Sequence, residues 1–331
     1  MEINELFTIF SSKKIAVVGD VMIDAYIRGS VNRISPEAPV PIVSLEKTEN
    51  RLGGAANVAL NLISLGANVT ICSVIGQDEK GDELISLFEE KGIGCEGIVR
   101  SADRVTTVKT RVIGNHQQLL RIDSEQSNPI SSEAESLIIE KVKTLLGDVD
   151  AIIFQDYNKG VLTPKVISRL IDLAEEKDIP TTVDPKKENF LAYKKVTLFK
   201  PNFKELKEGL GLAHLSVKNR ESFLEGVTAL KNALENQITF ITLSENGVFI
   251  NEKEENHFIP AHLRNITDVS GAGDTVISVA TLCLAAGLSI HDIAYIANLA
   301  GGLVCERSGV VSIEKNQLKS ELQRLRGEVL L

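Results

Sequence analysis

Asp268-Val-Ser-Gly-Ala-Gly-Asp274 sets two carboxylates around three small residues, Gly271, Ala272 and Gly273, just before an apolar run from Thr275 to Ala286. Small residues let the backbone pass close to a ligand, because no large side chain stands in the way. The run that follows reads as a buried helix, so 271–274 form its first turn. Unpaired N–H groups and the positive end of the helix dipole collect there, which suits an anion. A carboxylate in that turn competes with a bound phosphate. The conflict resolves if Asp274 takes a proton from an attacking hydroxyl while the N–H groups hold the phosphoryl group in transfer. The plainer reading of Asp274 is a helix cap or dipole partner.

Other candidates lie at strand ends. Gly53-Gly54-Ala-Ala-Asn57 opens a helix, and Asn57 can offer a donor and an acceptor to hydroxyls, although a tight turn explains the glycines equally. Gly19-Asp20-Val-Met-Ile-Asp24 puts carboxylates past the first strand, where ligands of open α/β sheets bind; Asp20 reads equally as a turn cap. Lys200-Pro-Asn202-Phe-Lys-Glu205 has the form of a capping box, and the same Asn/Glu pair suits magnesium and its waters near nucleotide phosphates. Thr242-Leu-Ser244-Glu-Asn-Gly247 is a strand end whose hydroxyls can meet phosphates or simply form a hairpin turn. Two look-alikes fail on context. Gly92-Ile-Gly94-Cys-Glu-Gly97 follows a helix where a dinucleotide fingerprint needs a strand, and Gly76 to Gly81 continues as Asp82-Glu83 where a P-loop needs Lys-Ser/Thr.

The elements that must position these residues alternate. Strands are expected at 14–19, 68–75, 151–154, 181–183, 196–199 and 238–243. Helices are expected at 54–65, 79–90, 133–146, 164–177, 216–235, 274–286 and 290–305. That rhythm predicts an α/β fold with a mostly parallel sheet covered on both faces. Residues 26–47 and 98–122 break it with alternating polar and apolar residues, and read as antiparallel strands of one small β lid. No Pro/Ser-rich linker intervenes, so residues 1–331 are expected to form one domain carrying that lid.

With 43% apolar residues the chain can bury a sizeable core, and its net charge of −9 argues against nucleic acid as a partner. Acids stand where a signal peptide carries Lys or Arg, and the most apolar stretch, 276–288, is too short to span a bilayer. No membrane partner is expected. Cys72, Cys95, Cys283 and Cys305 are scattered in apolar settings, which predicts buried free thiols and a cytoplasmic location.

Taken together these pieces resemble the ribokinase-like (PfkB-type) carbohydrate kinase family over nearly the whole chain. Gly53 to Ala59 with Gly66 and Gly76 matches the N-terminal signature, and Asp268 to Asp274 with Ser278 the C-terminal one; Val279 departs from a usual Ala or Gly. Within the family the likeness is to kinases of D-glycero-β-D-manno-heptose 7-phosphate. It rests on Asn32-Arg-Ile-Ser-Pro-Glu-Ala-Pro-Val-Pro41, Gln117 to Arg121, Asp156-Tyr-Asn-Lys-Gly160, Asp184-Pro-Lys186 and Val269 to Val276.

The resemblance implies a three-layer α/β/α core and a lid that clasps a second subunit in a homodimer. It implies ATP-dependent phosphorylation at O1, giving the 1,7-bisphosphate on the route to ADP-heptose for lipopolysaccharide core. Asp274 would be the base, and Gly271, Ala272 and Gly273 the anion-binding turn. Asp24, Gly53, Gly54, Asn57 and Asp156 would meet the sugar, with Arg33, Lys109, Arg111, Arg121, Lys159 and Lys186 as the pool of cations for its phosphate. Asn202, Glu205, Ser244, Gly247 and Asn298 would lie by the nucleotide, Glu205 holding Mg2+ through water, and Asp268 and Ser270 would take K+ beside the anion site. The chain has no H-x-G-H run, so adenylylation is expected of a separate adenylyltransferase. Another sugar kinase of this fold and a non-catalytic sugar-phosphate sensor remain the rival readings.

Overall fold

The computed structural model describes residues 2–262 and 264–325. Helix α1 (Ile3–Ser12) precedes β1 (Lys14–Gly19), β2 (Val21–Ile34), β3 (Pro41–Gly54), α2 (Ala55–Ser64), β4 (Asn68–Gly76), α3 (Glu79–Glu90) and β5 (Gly94–Ser101). Then come β6 (Val108–Gly114), β7 (Gln117–Ser124), α4 (Ser132–Leu145), β8 (Ala151–Gln155), α5 (Pro164–Glu175), β9 (Thr181–Asp184) and β10 (Leu198–Phe199). The remainder is α6 (Phe203–Leu210), α7 (Arg220–Leu234), β11 (Ile238–Thr242), β12 (Val248–Glu252), β13 (Glu255–Ile259), α8 (Ala272–Ala285), α9 (Ile290–Val304) and α10 (Lys315–Arg324).

The main sheet has nine strands in the order β13-β12-β11-β10-β9-β8-β1-β4-β5, parallel from β11 to β5, with β12 and β13 antiparallel at one edge. Buried on both faces, β1 alternates its side chains between two cores. Ile15 and Val17 pack with α1, α2, α8 and α9, whereas Ala16 and Val18 pack with α4, α5 and α7. The expected three layers are therefore present; α5 lays an apolar stripe on one face, whereas α8 is buried at every position from Asp274 to Cys283. The carboxyl ends of β1, β8, β9, β10 and β11 all open on one side.

The lid is a separate sheet of four strands, ordered β3-β2-β6-β7. It differs from the sequence expectation in two respects. Residues 98–101 belong to β5, which pairs parallel with β4 in the main sheet, so the second lid excursion starts later than 98. The central pair β2–β6 is parallel, and only the flanking pairs β2–β3 and β6–β7 are antiparallel. The edge hairpin β12–β13 and helices α1 and α10 were not expected. The four cysteines are free thiols; Cys72, Cys283 and Cys305 are buried, whereas Cys95 is only half-buried. Among the described residues no helix is long and apolar enough to cross a membrane.

Candidate active site

Gly271 caps α8 with φ of 81°, a left-handed conformation that favours glycine, and a Cβ there would press on Asn57 and Val310. Gly273 differs: a Cβ on it would meet nothing nearer than Asp184 Oδ2 at 3.6 Å and Lys200 Nζ at 3.7 Å. Protein packing does not demand this glycine, so its bareness leaves room for a ligand against the helix start. The N–H groups of Gly273 and Asp274 belong to the first turn, which has no intrahelical acceptors. That of Ala272 is already drawn to Val269 O at 3.3 Å, so it is a weaker candidate donor than expected.

Asp274 is buried in the first turn of α8. Its Oδ2 accepts from Asn57 Nδ2 at 2.6 Å, and its Oδ1 accepts from Tyr157 Oη at 2.7 Å and Gln155 Nε2 at 3.1 Å. Burial pushes its carboxyl up to about 6, against the pull of the Asn57 and Tyr157 hydrogen bonds. A carboxylate with that affinity for protons is suited to accept one near neutral pH. At the ends of β9 and β10, Asp184 and Lys200 form a buried ion pair at 3.1 Å. Lys186 binds Glu205 at 2.5 Å and stands over the Tyr157 ring, 6.0 Å from its centroid.

A cleft of about 700 Å3 joins these groups to Asn202, Glu205 and Ser244, with Phe203, Val217 and Leu243 as apolar walls. The capping box at the start of α6 is formed: Asn202 Oδ1 accepts from Glu205 N, and Glu205 Oε2 accepts from Asn202 N. It turns Glu205 towards Lys186 in the cleft. The turn at 244–247 joins the antiparallel β11–β12 hairpin, and Gly247 (φ 85°) is required there because a Cβ would strike Ile259 and Pro260. Asn298 lies outside the cleft lining and donates to Pro260 O at 2.8 Å, tying α9 to the end of β13.

On the lid side, Arg111 pairs with Asp24, and a Cβ on Gly53 would collide with Asp24 as one on Gly54 would with Asp20 O. These two glycines answer to neighbouring protein atoms. Lys109 Nζ and Lys159 Nζ share Glu125, at 2.7 and 2.8 Å, and Lys109 also meets Asp123. Arg121 is exposed and held by Asp123, and Arg33 is exposed at the far end of β2, so the structure does not bring either to the cleft.

Two acids have structural partners. Asp156 accepts from Asn158 N, Asn189 Nδ2 and Tyr193 Oη, which turns its carboxyl away from the expected sugar contact. Asp20 accepts from the backbone N–H groups of Tyr157, Lys159 and Val161 and so shapes the loop after β8. Burial pushes its carboxyl up to about 6, with Asp156 adding to the shift. Asp268 accepts from Ser270 N and Gly309 N, both at 2.9 Å, which draws the loop at Gly309 to the segment expected to hold a monovalent cation.

Gln155, Tyr157, Asp184 and Lys200 were not among the sequence candidates. Tyr157, Asp184 and Lys200 lie inside quoted motifs, and all four stand at or just past a strand's carboxyl end, which was the available signal.

Residues 12–316 match the pfkB family carbohydrate kinase. The chain is 41% identical to the "Bifunctional protein HldE" of Citrifermentans bemidjiense over 97% of its own length and 66% of that protein's. It is 40% identical to the protein of the same name from Magnetococcus marinus, covering 95% and 65%. It thus spans about two thirds of the length of these relatives. Phosphofructokinase-2 from Escherichia coli, solved in complex with potassium, superposes with a TM-score of 0.77 at 16% identity, over 95% of this chain and 99% of that one. Arabidopsis thaliana ribokinase complexed with ribose and ATP gives 0.70 at 15%, over 94% and 98%. At such identities these two likenesses establish the ribokinase-like fold.

Proposed function

Since the chain belongs to the pfkB family of carbohydrate kinases, we propose that it transfers the γ-phosphoryl group of ATP to O1 of D-glycero-β-D-manno-heptose 7-phosphate. The observation that carries this reading is a buried carboxylate with a raised pKa, Asp274, in the first turn of a helix whose Gly273 leaves the turn open. Asp274 takes the proton from the O1 hydroxyl as O1 bonds to the γ-phosphorus. The bond from that phosphorus to the β–γ bridging oxygen breaks, and ADP leaves. Charge gathering on the phosphoryl oxygens is met by the N–H groups of Gly273 and Asp274 and by Lys200. Such donors matter most where charge develops in the transition state.

The relatives at 40–41% identity support the heptose acceptor. So does the cation pair Lys109 and Lys159: because both reach Glu125, both can reach one anion, and the sugar's 7-phosphate would take that carboxylate's place. Asp24 and Asn57 meet the sugar hydroxyls in this reading. ATP brings Mg2+, for which Glu205 offers hard oxygen donors through water at the cleft wall. Asp268, whose carboxylate lies beside the Ser270 hydroxyl and the Gly309 backbone, offers hard oxygens of the kind that suit K+. The enzyme works in the cytoplasm, as a homodimer clasped through its lid. Its bisphosphate product feeds ADP-heptose synthesis for lipopolysaccharide core.

The test compares kcat/KM for the heptose 7-phosphate with the unphosphorylated heptose, ribose and fructose 6-phosphate. Loss of the phosphate contact should cost about one to two decades. Lys109→Met and Lys159→Met should raise KM for the phosphorylated sugar alone. A preference for ribose or fructose 6-phosphate would replace the heptose by another acceptor, and absence of turnover with all four would favour a sensor.

A further inference from the structure

Among the described residues, Asp274 Oδ1 has two side-chain donors, Gln155 and Tyr157, whereas Oδ2 has one, Asn57. A carboxylate oxygen offers about two lone-pair sites, so Oδ1 is full and Oδ2 keeps one open. We propose that Gln155 and Tyr157 are positioning residues that lock the Asp274 carboxylate and leave Oδ2 as the atom that receives the acceptor's proton. The proposal rests on the reading of Asp274 as the base.

Each donor is itself fixed. The Gln155 amide nitrogen bridges Asp274 Oδ1 at 3.1 Å and Asp184 Oδ2 at 3.3 Å. Turning the amide over would set its oxygen against two carboxylates, so only one orientation is viable. Its own Oε1 finds no hydrogen-bond partner among the described residues, a sacrifice that satisfying Gln155 alone would not call for. Tyr157 is pinned through its backbone, whose N–H donates to Asp20 Oδ2 at 2.9 Å. Burial, and then the charge of Asp274, holds its phenol well above the usual range, so it stays protonated and can only donate to the carboxylate.

The consequence is orientational. A carboxylate free to rotate about its Cβ–Cγ bond presents any of its lone pairs to the hydroxyl. Two donors on Oδ1 restrict it to one approach, on the Asn57 side, where the sugar is expected. Preorganisation of this kind raises kcat more than it lowers KM.

The experiment follows the 13Cγ signal of Asp274 through a pH titration of the unliganded enzyme, beside the pH dependence of kcat and KM for the heptose 7-phosphate. Tyr157→Phe should move the Asp274 midpoint, and with it the acid limb of kcat, upward by about one pH unit, because a bond that favours the ionised form is lost. Plateau kcat should fall about tenfold with acceptor KM changed less than about twofold. Gln155→Met should shift both in the same direction and reads the second donor independently should Tyr157→Phe fold poorly. Unmoved midpoints and limbs in both variants would overturn the proposal, as would a raised KM with kcat intact, which would make the phenol a sugar ligand. Asp274→Asn retaining more than about a tenth of kcat would instead sink the underlying reading of the base, whatever the titration gives.

Discussion

Lys200 Nζ lies 3.1 Å from Asp184 Oδ2, and both atoms are within 4 Å of the point where a Cβ on Gly273 would stand. A buried ion pair recovers little more than its own desolvation, so stability alone is a weak reason to keep one here. Placed beside an open helix start, the ammonium can answer a phosphoryl group when one arrives. Lys200→Met should therefore lower kcat about a hundredfold and, by stranding Asp184, destabilise the fold by about 3–5 kcal/mol. Adding Asp184→Asn should restore most of the stability and little of the turnover. Recovery of both in the double variant would make Lys200 a structural residue.

Gly273→Ala separates room for the ligand from room for the protein. The added methyl meets only ordinary contacts at 3.6 and 3.7 Å, and alanine in a helix is favoured over glycine by about 0.5–1 kcal/mol. The melting temperature should hold or rise while kcat falls at least about tenfold, because the methyl stands where the phosphoryl oxygens must pass. Turnover within about twofold of wild type would remove Gly273 from the phosphoryl path.

Much of this site was legible because strand ends and helix starts announce themselves. The α8 turn, the Asn202–Glu205 capping box and the Gly92 helix end follow from local rules that depend only on neighbours in sequence. What was not legible is how long-range packing spends each side chain. Asp156 looks the same in sequence whether it faces a sugar or Asn189 and Tyr193, since those partners come from 33 and 37 residues away. Gln155 and Tyr157 reach Asp274 across more than a hundred residues, and no periodicity encodes that meeting. The start of the second lid segment is hidden in the sequence for a related reason. Alternation reports one wet and one covered face, and β5, half-exposed at the edge of the main sheet, shows the same sign as a lid strand.

Stability and activity should respond to pH in opposite senses. Asp274 and Asp20 both carry carboxyls raised from an ordinary 3.8 to about 6, so their contribution to folding is full below the unfolded value and lost as pH rises through about 6. Catalysis needs Asp274 ionised, so kcat/KM should fall as pH drops through that same region. Urea midpoints between pH 5 and 7.5 should decline in the wild type and decline less in Asp274→Asn. Equal slopes in the two proteins would show that Asp274 does not carry the raised pKa.

The lid should pair with a second lid. Register across β3, β2, β6 and β7 puts Asp24, Arg111 and Arg121 on one face and Ile27, Val112, Leu120 and Ile122 on the other. Leu45 joins the apolar face, and it, Leu120 and Ile122 are 65%, 55% and 52% exposed. A four-stranded sheet with one apolar face in water is poorly stable alone, and two such faces can pack about 10 Å apart. A copy of the same sheet is the simplest cover, because a two-fold axis then serves both lids with one surface. Light scattering at micromolar concentration should give twice the chain mass, and Leu120→Glu with Ile122→Glu should halve it while leaving the main sheet's melting transition in place. The dissociated variant should lose acceptor affinity more than nucleotide affinity, since Asp24 and Lys109 ride on the lid and the nucleotide candidates do not. A wild-type monomer at that concentration would remove the second subunit from the account of how the lid is held over the sugar.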